Sequence, residues 1–304
     1  MELYRSHATL FGLVNEAYDG SLAHARAVII PAPLEYTVSY GTGTAQGPAA
    51  ILAASTQMEL YDEELGSVPA THGIGTLAPL DFTDLTIVDA LAQIEAAVAA
   101  VLDHNQLPLT LGGEHSLTPA CVRAVQAAAD YAPLGVVQFD AHGDLRSEYE
   151  GSPYSHASAM RRTLEIPHVE LLEVGIRSIS EGEIADLASG AVRARILYAH
   201  QLATGGADFA AALAALPERV YITIDVDGFD PASMPATGTP EPGGLGWYSV
   251  VGMLRLICAT KTVVGVDVVE LAPIPGLHAP DFLVAKLIYR LLGAYFAGRE
   301  GGTP

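Results

Sequence analysis

The chain has 304 residues and carries 15 Lys and Arg against 35 Asp and Glu, which gives a formal net charge of −20 at pH 7. Half of the residues are hydrophobic and 16% are charged, a composition typical of globular rather than disordered proteins. This charge leaves no basic footprint, so nucleic acids and anionic membrane surfaces are poor partners. A metal ion or a small cation fits the charge better, although solubility alone is the simplest explanation of an acidic surface.

The cysteines and the N-terminal residues favour a cytoplasmic protein. Cys121 and Cys258 lie far apart and outside any C-x-x-C pair, so we expect reduced thiols rather than a disulfide framework. Residues 1–7 lack the basic flank and apolar stretch of a secretory signal. The sequence also contains no run of 18 apolar residues that would span a membrane.

Short apolar runs alternate with longer Ala- and Leu-rich segments along the chain. The pattern predicts strands over 26–30, 107–111, 134–139, 171–174, 195–198, 220–224 and 262–266. It predicts helices over 89–103, 118–129, 184–187, 209–216, 250–257 and 281–295. Continuously apolar strands that alternate with helices indicate a parallel sheet covered on both faces. We therefore expect one α/β domain over residues 1–304, with residues 1–25 as an N-terminal extension.

Two long segments interrupt this alternation, 31–48 and 227–246. Both are rich in Gly, Pro and Thr, and both are longer than a simple connection between two elements needs to be. Since α/β proteins place their sites in loops that follow strands, we expect these segments to border the functional site.

Acidic residues and histidines follow three of the predicted strands. They are His115 after 107–111, Asp140, His142 and Asp144 after 134–139, and Asp225 and Asp227 after 220–224. Because ligands bind beyond the carboxyl ends of parallel strands, we expect these side chains to converge. Each motif alone is also compatible with turn chemistry, but the joint arrangement favours metal binding.

Four uncompensated carboxylates would raise one another's pKa values and destabilise the fold. Two divalent cations about 3.5–4 Å apart, which share bridging carboxylates, remove this repulsion and can activate a water molecule. Ligation dominated by oxygen favours Mn²⁺, with Zn²⁺, Co²⁺ and Fe²⁺ left open.

These motifs together resemble the ureohydrolase (arginase/agmatinase) family. The segments are GGEHS (112–116), FDAHGD (139–144), IDVDGFDP (224–231) and PATGTP (235–240). The resemblance runs from about Pro31 to the C-terminal helix. It implies a three-layer α/β/α sandwich with a central, mainly parallel sheet, two Mn²⁺ ions, hydrolysis of a guanidinium group to urea, and a homo-oligomer of three or six chains.

The resemblance also implies the role of individual residues. It assigns His115, Asp140, Asp144 and Asp225 to one metal, and His142, Asp140, Asp225 and Asp227 to the other. His156 falls at the family's proton-shuttling histidine and Glu270 at its guanidinium-binding carboxylate. Thr239 lies in the adjacent loop, and we expect it to be a secondary substrate contact at most. These roles suit the chemistry, because a guanidinium pairs with a carboxylate and a departing amine needs a proton donor.

The substrate is less strongly indicated. The stretches 36–48, 58–62 and 145–156 resemble agmatinases rather than arginases. We expect Glu148 or Glu150 to favour a cationic substrate tail, whereas Arg146, if it faces the pocket, favours a carboxylate. Agmatine, cleaved to putrescine and urea, is the expected substrate. The alternatives are 4-guanidinobutyrate, arginine, a formimino hydrolase acting on formiminoglutamate, and a non-catalytic metal-binding oligomer.

Overall fold

The computed structural model describes residues 21–299, which contain one eight-stranded sheet. The strands are β1 Ala27–Ala32, β2 Ile74–Thr76, β3 Leu107–Gly112, β4 Leu134–Phe139, β5 Val169–Ile176, β6 Ala194–Tyr198, β7 Arg219–Asp225 and β8 Thr262–Val269. Their order across the sheet is β2-β1-β3-β8-β7-β4-β5-β6, and every neighbouring pair is parallel. Parallel pairing requires crossover connections, which the helices supply.

The helices cover both faces of the sheet. They are α1 Gly47–Ser55, α2 Ile87–Leu102, α3 Thr118–Ala127, α4 Ala159–Leu164, α5 Glu181–Ser189, α6 Ala199–Ala203, α7 Phe209–Ala214, α8 Trp247–Thr260 and α9 Ala279–Arg299. One apolar core lies between the sheet and α1, α7, α8 and α9, and the other lies under α2, α3 and α4. The expected three-layer α/β/α sandwich is therefore confirmed.

Several short elements escape the sequence pattern. Strand β2 has three residues and lies at the sheet edge, and α4 and α6 have six and five residues, too few to show a helical period. Helix α1 begins at the end of the segment 31–48, where Pro48 suggests a loop although proline is common at a helix start. Strand β8 extends to Val269. The predicted strand stops at residue 266 because Asp267, which is buried in the structure, interrupts the apolar run in the sequence.

Both cysteines are free and buried, in α3 and α8, and burial raises the pKa of each thiol to about 12. Within residues 21–299, no helix is both long enough and apolar enough to cross a membrane. Residues 1–20 of the expected N-terminal extension lie outside the described residues, so the single domain over 1–304 stays a prediction.

The strand order decides where the functional side chains meet. Strands β3, β8, β7 and β4 are consecutive neighbours in the sheet, although they come from four distant parts of the chain. Since they are parallel, their carboxyl ends lie side by side at one edge. The three acid and histidine motifs lie at the carboxyl ends of β3, β4 and β7 at this edge, and Asp225 is itself the last residue of β7.

Candidate metal centre and active site

The first motif follows β3 at a point where the backbone passes very close to the loop that contains Leu34. A Cβ atom on Gly113 would lie 1.9 Å from the carbonyl oxygen of Leu34, so this position admits only glycine. The amide of Gly113 donates to the carbonyl of Ala32, and its own carbonyl accepts from the amide of Glu270. This backbone pairing joins the ends of β1, β3 and β8 and places His115 directly beneath the loop that carries Glu270.

One group of potential metal ligands surrounds His115. Its Nδ1 atom lies 3.1 Å from Asp140 Oδ2, 3.2 Å from Asp144 Oδ2 and 3.5 Å from Asp225 Oδ2. All four residues are buried. Despite these short distances, Nδ1 has no well-directed hydrogen bond to any described residue. A nitrogen lone pair facing three carboxylates is the arrangement of a metal ligand set.

A second group shares Asp140 with the first. His142 Nδ1 lies 3.0 Å from Asp227 Oδ2 and 3.6 Å from Asp140 Oδ1. Asp140 therefore turns Oδ2 toward His115 and Oδ1 toward His142, which is the geometry of a bridging carboxylate. The six residues assigned to metals by sequence are thus brought together. The structure places Asp225 beside His115, and its bridging role stays a prediction.

The protonation preferences of the cluster show uncompensated charge. Burial, and then the neighbouring carboxylates, raises the pKa of Asp144, Asp225 and Asp227. Burial lowers the pKa of His142, but its contacts with Asp140 and Asp227 outweigh burial and raise it to about 12. Two imidazoles thus offset only part of the negative charge of four buried carboxylates, and divalent cations complete the balance. The donor set fits two such ions.

A layer of polar side chains behind the cluster orients His115. The hydroxyl of Thr223 donates to Asp267 Oδ1 at 2.6 Å, so it accepts from His115 Nε2–H at 2.8 Å. Tyr221 and Thr118 donate to the other oxygen of Asp267. Because Nε2 donates to Thr223, His115 can present Nδ1 to a metal, and such a second layer is common around metal sites. Sequence patterns give no indication of it, because the contacts join residues that lie between 44 and 149 positions apart.

A cavity of about 350 Å³ opens above the cluster. His156 and Glu270, the residues assigned to catalysis by resemblance, both line it. Glu270 has a positive φ of 66°, an unfavourable conformation for a residue with a side chain, and its Oε1 accepts from the amide of His115 at 2.7 Å. Burial, and then the charge of Glu114, raises the pKa of Glu270 well above its usual value. A cationic guanidinium beside this carboxyl would favour its ionised form.

The residues expected to contact the substrate tail divide into two sets. Thr239 and Arg146 line the cavity, and the guanidinium of Arg146 lies over the ring of Tyr149 at 5.0 Å. Glu148 and Glu150 are exposed and are not among the lining residues.

A tight turn accounts for the exposure of Glu150. Tyr149 and Ser152 exchange both backbone hydrogen bonds, and Glu150 and Gly151 between them have positive φ, as in a type I′ turn. This turn carries Glu150 into solvent. The structure therefore gives neither Glu148 nor Glu150 the cavity contact that the sequence suggested, and it places Glu183 and Glu241 at the cavity instead.

Arg177, which sequence analysis did not single out, fixes the loop after β7. Its half-buried guanidinium donates to five backbone carbonyls, those of Gly175, Asp227, Gly228, Phe229 and Glu241. Because one side chain links both ends of the segment 227–241, the loop carrying Asp227 and Thr239 has a defined position at the cavity.

The fold and the cluster define an α/β protein with a candidate two-metal centre beneath a cavity. A model of the arginase family matches residues 25–293. N(1)-aminopropylagmatine ureohydrolase from Synechocystis sp. is 42% identical over 284 residues, covering 90% of each chain. Agmatinase from Pyrococcus horikoshii is 30% identical, covering 88% of this chain and 90% of its own.

Among solved structures, agmatine ureohydrolase from Thermoplasma volcanium superposes with a TM-score of 0.84 at 29% identity, covering 99% of this chain and 98% of its own. The chain belongs to the arginase family. It is a ureohydrolase, a hydrolase acting on amidino C–N bonds. The family resemblance stated from the motifs is thereby confirmed.

Proposed function

We propose that the protein uses two Mn²⁺ ions to hydrolyse agmatine to putrescine and urea. The observation that carries the proposal is the pair of ligand groups sharing Asp140, beneath a cavity that His156 and Glu270 also line. His115, Asp140, Asp144 and Asp225 would hold one ion. His142 and Asp227 would hold the second, together with the shared carboxylates.

The protein residues surrounding the ions would bind and orient the substrate. When bound, two divalent ions lower the pKa of a water molecule and stabilise developing negative charge. Glu270 would pair with the planar guanidinium and fix its orientation, because a carboxylate matches the donors of that group. His156 would hold a proton and deliver it to the amine nitrogen as the C–N bond breaks, so that water and the guanidinium become urea and a protonated amine.

The charge of the cavity supports a cationic substrate. Among residues 21–299 and apart from the metal ligands, Glu183, Glu241 and Glu270 line it, against the single guanidinium of Arg146, which packs on Tyr149. A tail that ends in an ammonium suits this lining better than the carboxylate of 4-guanidinobutyrate or arginine.

A second candidate substrate is N(1)-aminopropylagmatine, which extends agmatine by a further amine. It is favoured by the Synechocystis relative, which is 42% identical to this chain over 284 residues and is named for that substrate. The cytoplasmic location and the trimeric or hexameric assembly stay predictions from the sequence.

The test is urea release by the Mn²⁺-loaded protein across a panel of agmatine, N(1)-aminopropylagmatine, 4-guanidinobutyrate and arginine. Formamide release from formiminoglutamate is measured in parallel. The proposal predicts the highest kcat/KM for agmatine. A higher kcat/KM for N(1)-aminopropylagmatine would show that the extended amine, rather than agmatine, is the substrate. A higher kcat/KM for 4-guanidinobutyrate or arginine would contradict the inference that the cavity selects a cationic tail. Absence of urea from all of them would refute the proposed function.

A further inference from the structure

A hydrogen-bonded chain connects the buried Glu114 to His156 through Thr37. Glu114 Oε2 accepts from the backbone amides of Tyr36 and Thr37, both at 2.6 Å. Glu114 Oε1 accepts from the hydroxyl of Thr37 at 2.8 Å and from that of Ser116 at 2.6 Å. Four donors therefore surround one carboxylate that is fully buried. Neither the metal ligands nor the proposed reaction uses this group.

The direction of these hydrogen bonds determines what Thr37 offers to His156. A hydroxyl has one proton, and the carboxylate of Glu114 only accepts, so the proton of Thr37 points toward Glu114. The lone pairs of Thr37 Oγ1 then accept from the amide of His156 at 3.0 Å, and they face His156 Nδ1 at 3.3 Å. If Nδ1 carried no proton, its lone pair would face a lone pair of Thr37 Oγ1, and the two would repel each other. The contact is favourable only when Nδ1 carries a proton.

We propose that Glu114 and Thr37 are positioning residues that hold neutral His156 as the tautomer with its proton on Nδ1. Nε2, on the opposite side of the ring, is then the nitrogen that accepts a proton and passes it to the departing amine. The catalytic consequence rests on the proposed function, whereas the tautomer itself does not. Such an orienting pair behind a catalytic histidine serves the same purpose as the third member of a hydrolase triad.

Ser155 is the competing neighbour. Its hydroxyl lies 3.5 Å from His156 Nδ1 and can act as donor or acceptor. Thr37 Oγ1 lies closer to His156 Nδ1, at 3.3 Å, and the proton of Thr37 is already directed to Glu114. The variant Ser155→Ala therefore serves as the matched control, and we expect it to keep the tautomer of the wild type.

Two substitutions act on the chain in different ways. Thr37→Val removes the hydroxyl and keeps both the shape of the side chain and the backbone amide. In Glu114→Gln, the backbone amides of Tyr36 and Thr37 still need an acceptor and keep the side-chain oxygen facing them. The new NH₂ group therefore faces the Thr37 hydroxyl and donates to it. The Thr37 hydroxyl is then free to donate to His156 Nδ1. This isosteric change should reverse the tautomer and place the proton on Nε2.

The direct test is long-range ¹⁵N–¹H NMR correlation of ¹⁵N-histidine-labelled full-length protein at about pH 8, which is above the ordinary pKa of a histidine side chain. The protein is loaded with diamagnetic Zn²⁺, since Mn²⁺ broadens nearby signals, and His156→Gln identifies the resonances. We expect a proton on Nδ1 in the wild type, Thr37→Ser and Ser155→Ala, a loss of this bias in Thr37→Val, and a proton on Nε2 in Glu114→Gln. A proton on Nε2 in the wild type, or an unchanged Nδ1 proton in both Thr37→Val and Glu114→Gln, would overturn the proposal.

The catalytic arm uses urea release from agmatine. We expect kcat of Thr37→Val to fall at least about tenfold with little change in KM, and Thr37→Ser to restore it to within about twofold. Equal thermal stability of the two variants shows that the loss is not misfolding. If the wild type releases no urea from any guanidino compound, the proposed function fails while the NMR result still decides the tautomer. A wild-type kcat in Thr37→Val would overturn the positioning role.

Discussion

The floor and the wall of the cavity are built in different ways. The floor consists of the side chains that follow β3, β4 and β7, and their convergence is a consequence of the parallel sheet. The wall consists of Glu270 and of loops around residues 36–41, 145–157 and 238–241. These loops are held by long-range contacts, such as the hydrogen bonds from Arg177 to the backbone of the segment 227–241 and the hydrogen bond from Thr37 to Glu114. The floor therefore supplies the metal ligands, while the wall supplies orientation, and each can be damaged without the other.

The largest effect is expected from removing the charge of Asp140, the shared carboxylate of the floor. Asp140→Asn removes a negative charge that faces both His115 and His142. We expect loss of bound Mn²⁺ and a decrease of about 1,000-fold in urea release, equivalent to roughly 4 kcal/mol. Metal analysis and urea assays measure the two effects, with the exposed Asp103→Asn as control. Retention of full metal content would contradict the bridging geometry.

A substitution in the wall should separate activity from metal binding. Glu270→Gln keeps the size of the side chain but removes the charge that would pair with the guanidinium. We expect kcat/KM for agmatine to fall by about 100-fold, roughly 2.7 kcal/mol, with the Mn²⁺ content unchanged. If the variant lost its metal as well, Glu270 would belong to the floor, and the division between the two regions would fail.

The polar layer behind the floor should give a smaller effect on the metal alone. Asp267→Asn weakens the acceptor that directs the Thr223 hydroxyl away from His115. We expect Mn²⁺ affinity to fall by about 10- to 100-fold, as for other second-layer partners of metal-binding histidines. Calorimetric titration with Mn²⁺ measures the change. An affinity equal to that of the wild type would show that His115 needs no such support.

The smallest effect is expected at Glu173, which lies in β5 next to Gln138 of β4. Both carboxyl oxygens are buried and have no hydrogen-bond partner among residues 21–299. Burial, and then the charges of Asp140, Asp144 and Glu183, raises the pKa of Glu173 well above its usual value. The folded state thus keeps a proton that the unfolded state loses above about pH 4.3.

The sign of the pH dependence follows from this difference. Between the unfolded and the raised folded pKa, the folded state binds more protons, so stability falls as pH rises through that window. Glu173→Gln removes this dependence. We expect its Tm to exceed that of the wild type by a few degrees near pH 8, with a smaller gain near pH 5. A gain that does not change with pH would contradict an unpartnered, protonated Glu173.

The same division explains what the sequence could predict. The six candidate ligands follow apolar runs that periodicity identifies as strands, so their convergence depends only on a parallel sheet. Thr37 and Glu114 stand 77 positions apart, and their contact depends on how two loops pack. Glu148 and Glu150 lie close in sequence to Arg146, yet both are exposed, and a tight turn directs Glu150 to solvent. Local patterns carry no information about such loop geometry.

The two-metal floor is tested most directly by calorimetric titration of the metal-free protein with Mn²⁺. We predict two bound ions per chain in the wild type, with both sites weakened by Asp140→Asn because that carboxylate faces both ligand groups. One ion per chain, or a variant that loses a single site and keeps the other at wild-type affinity, would contradict a centre built around a shared Asp140.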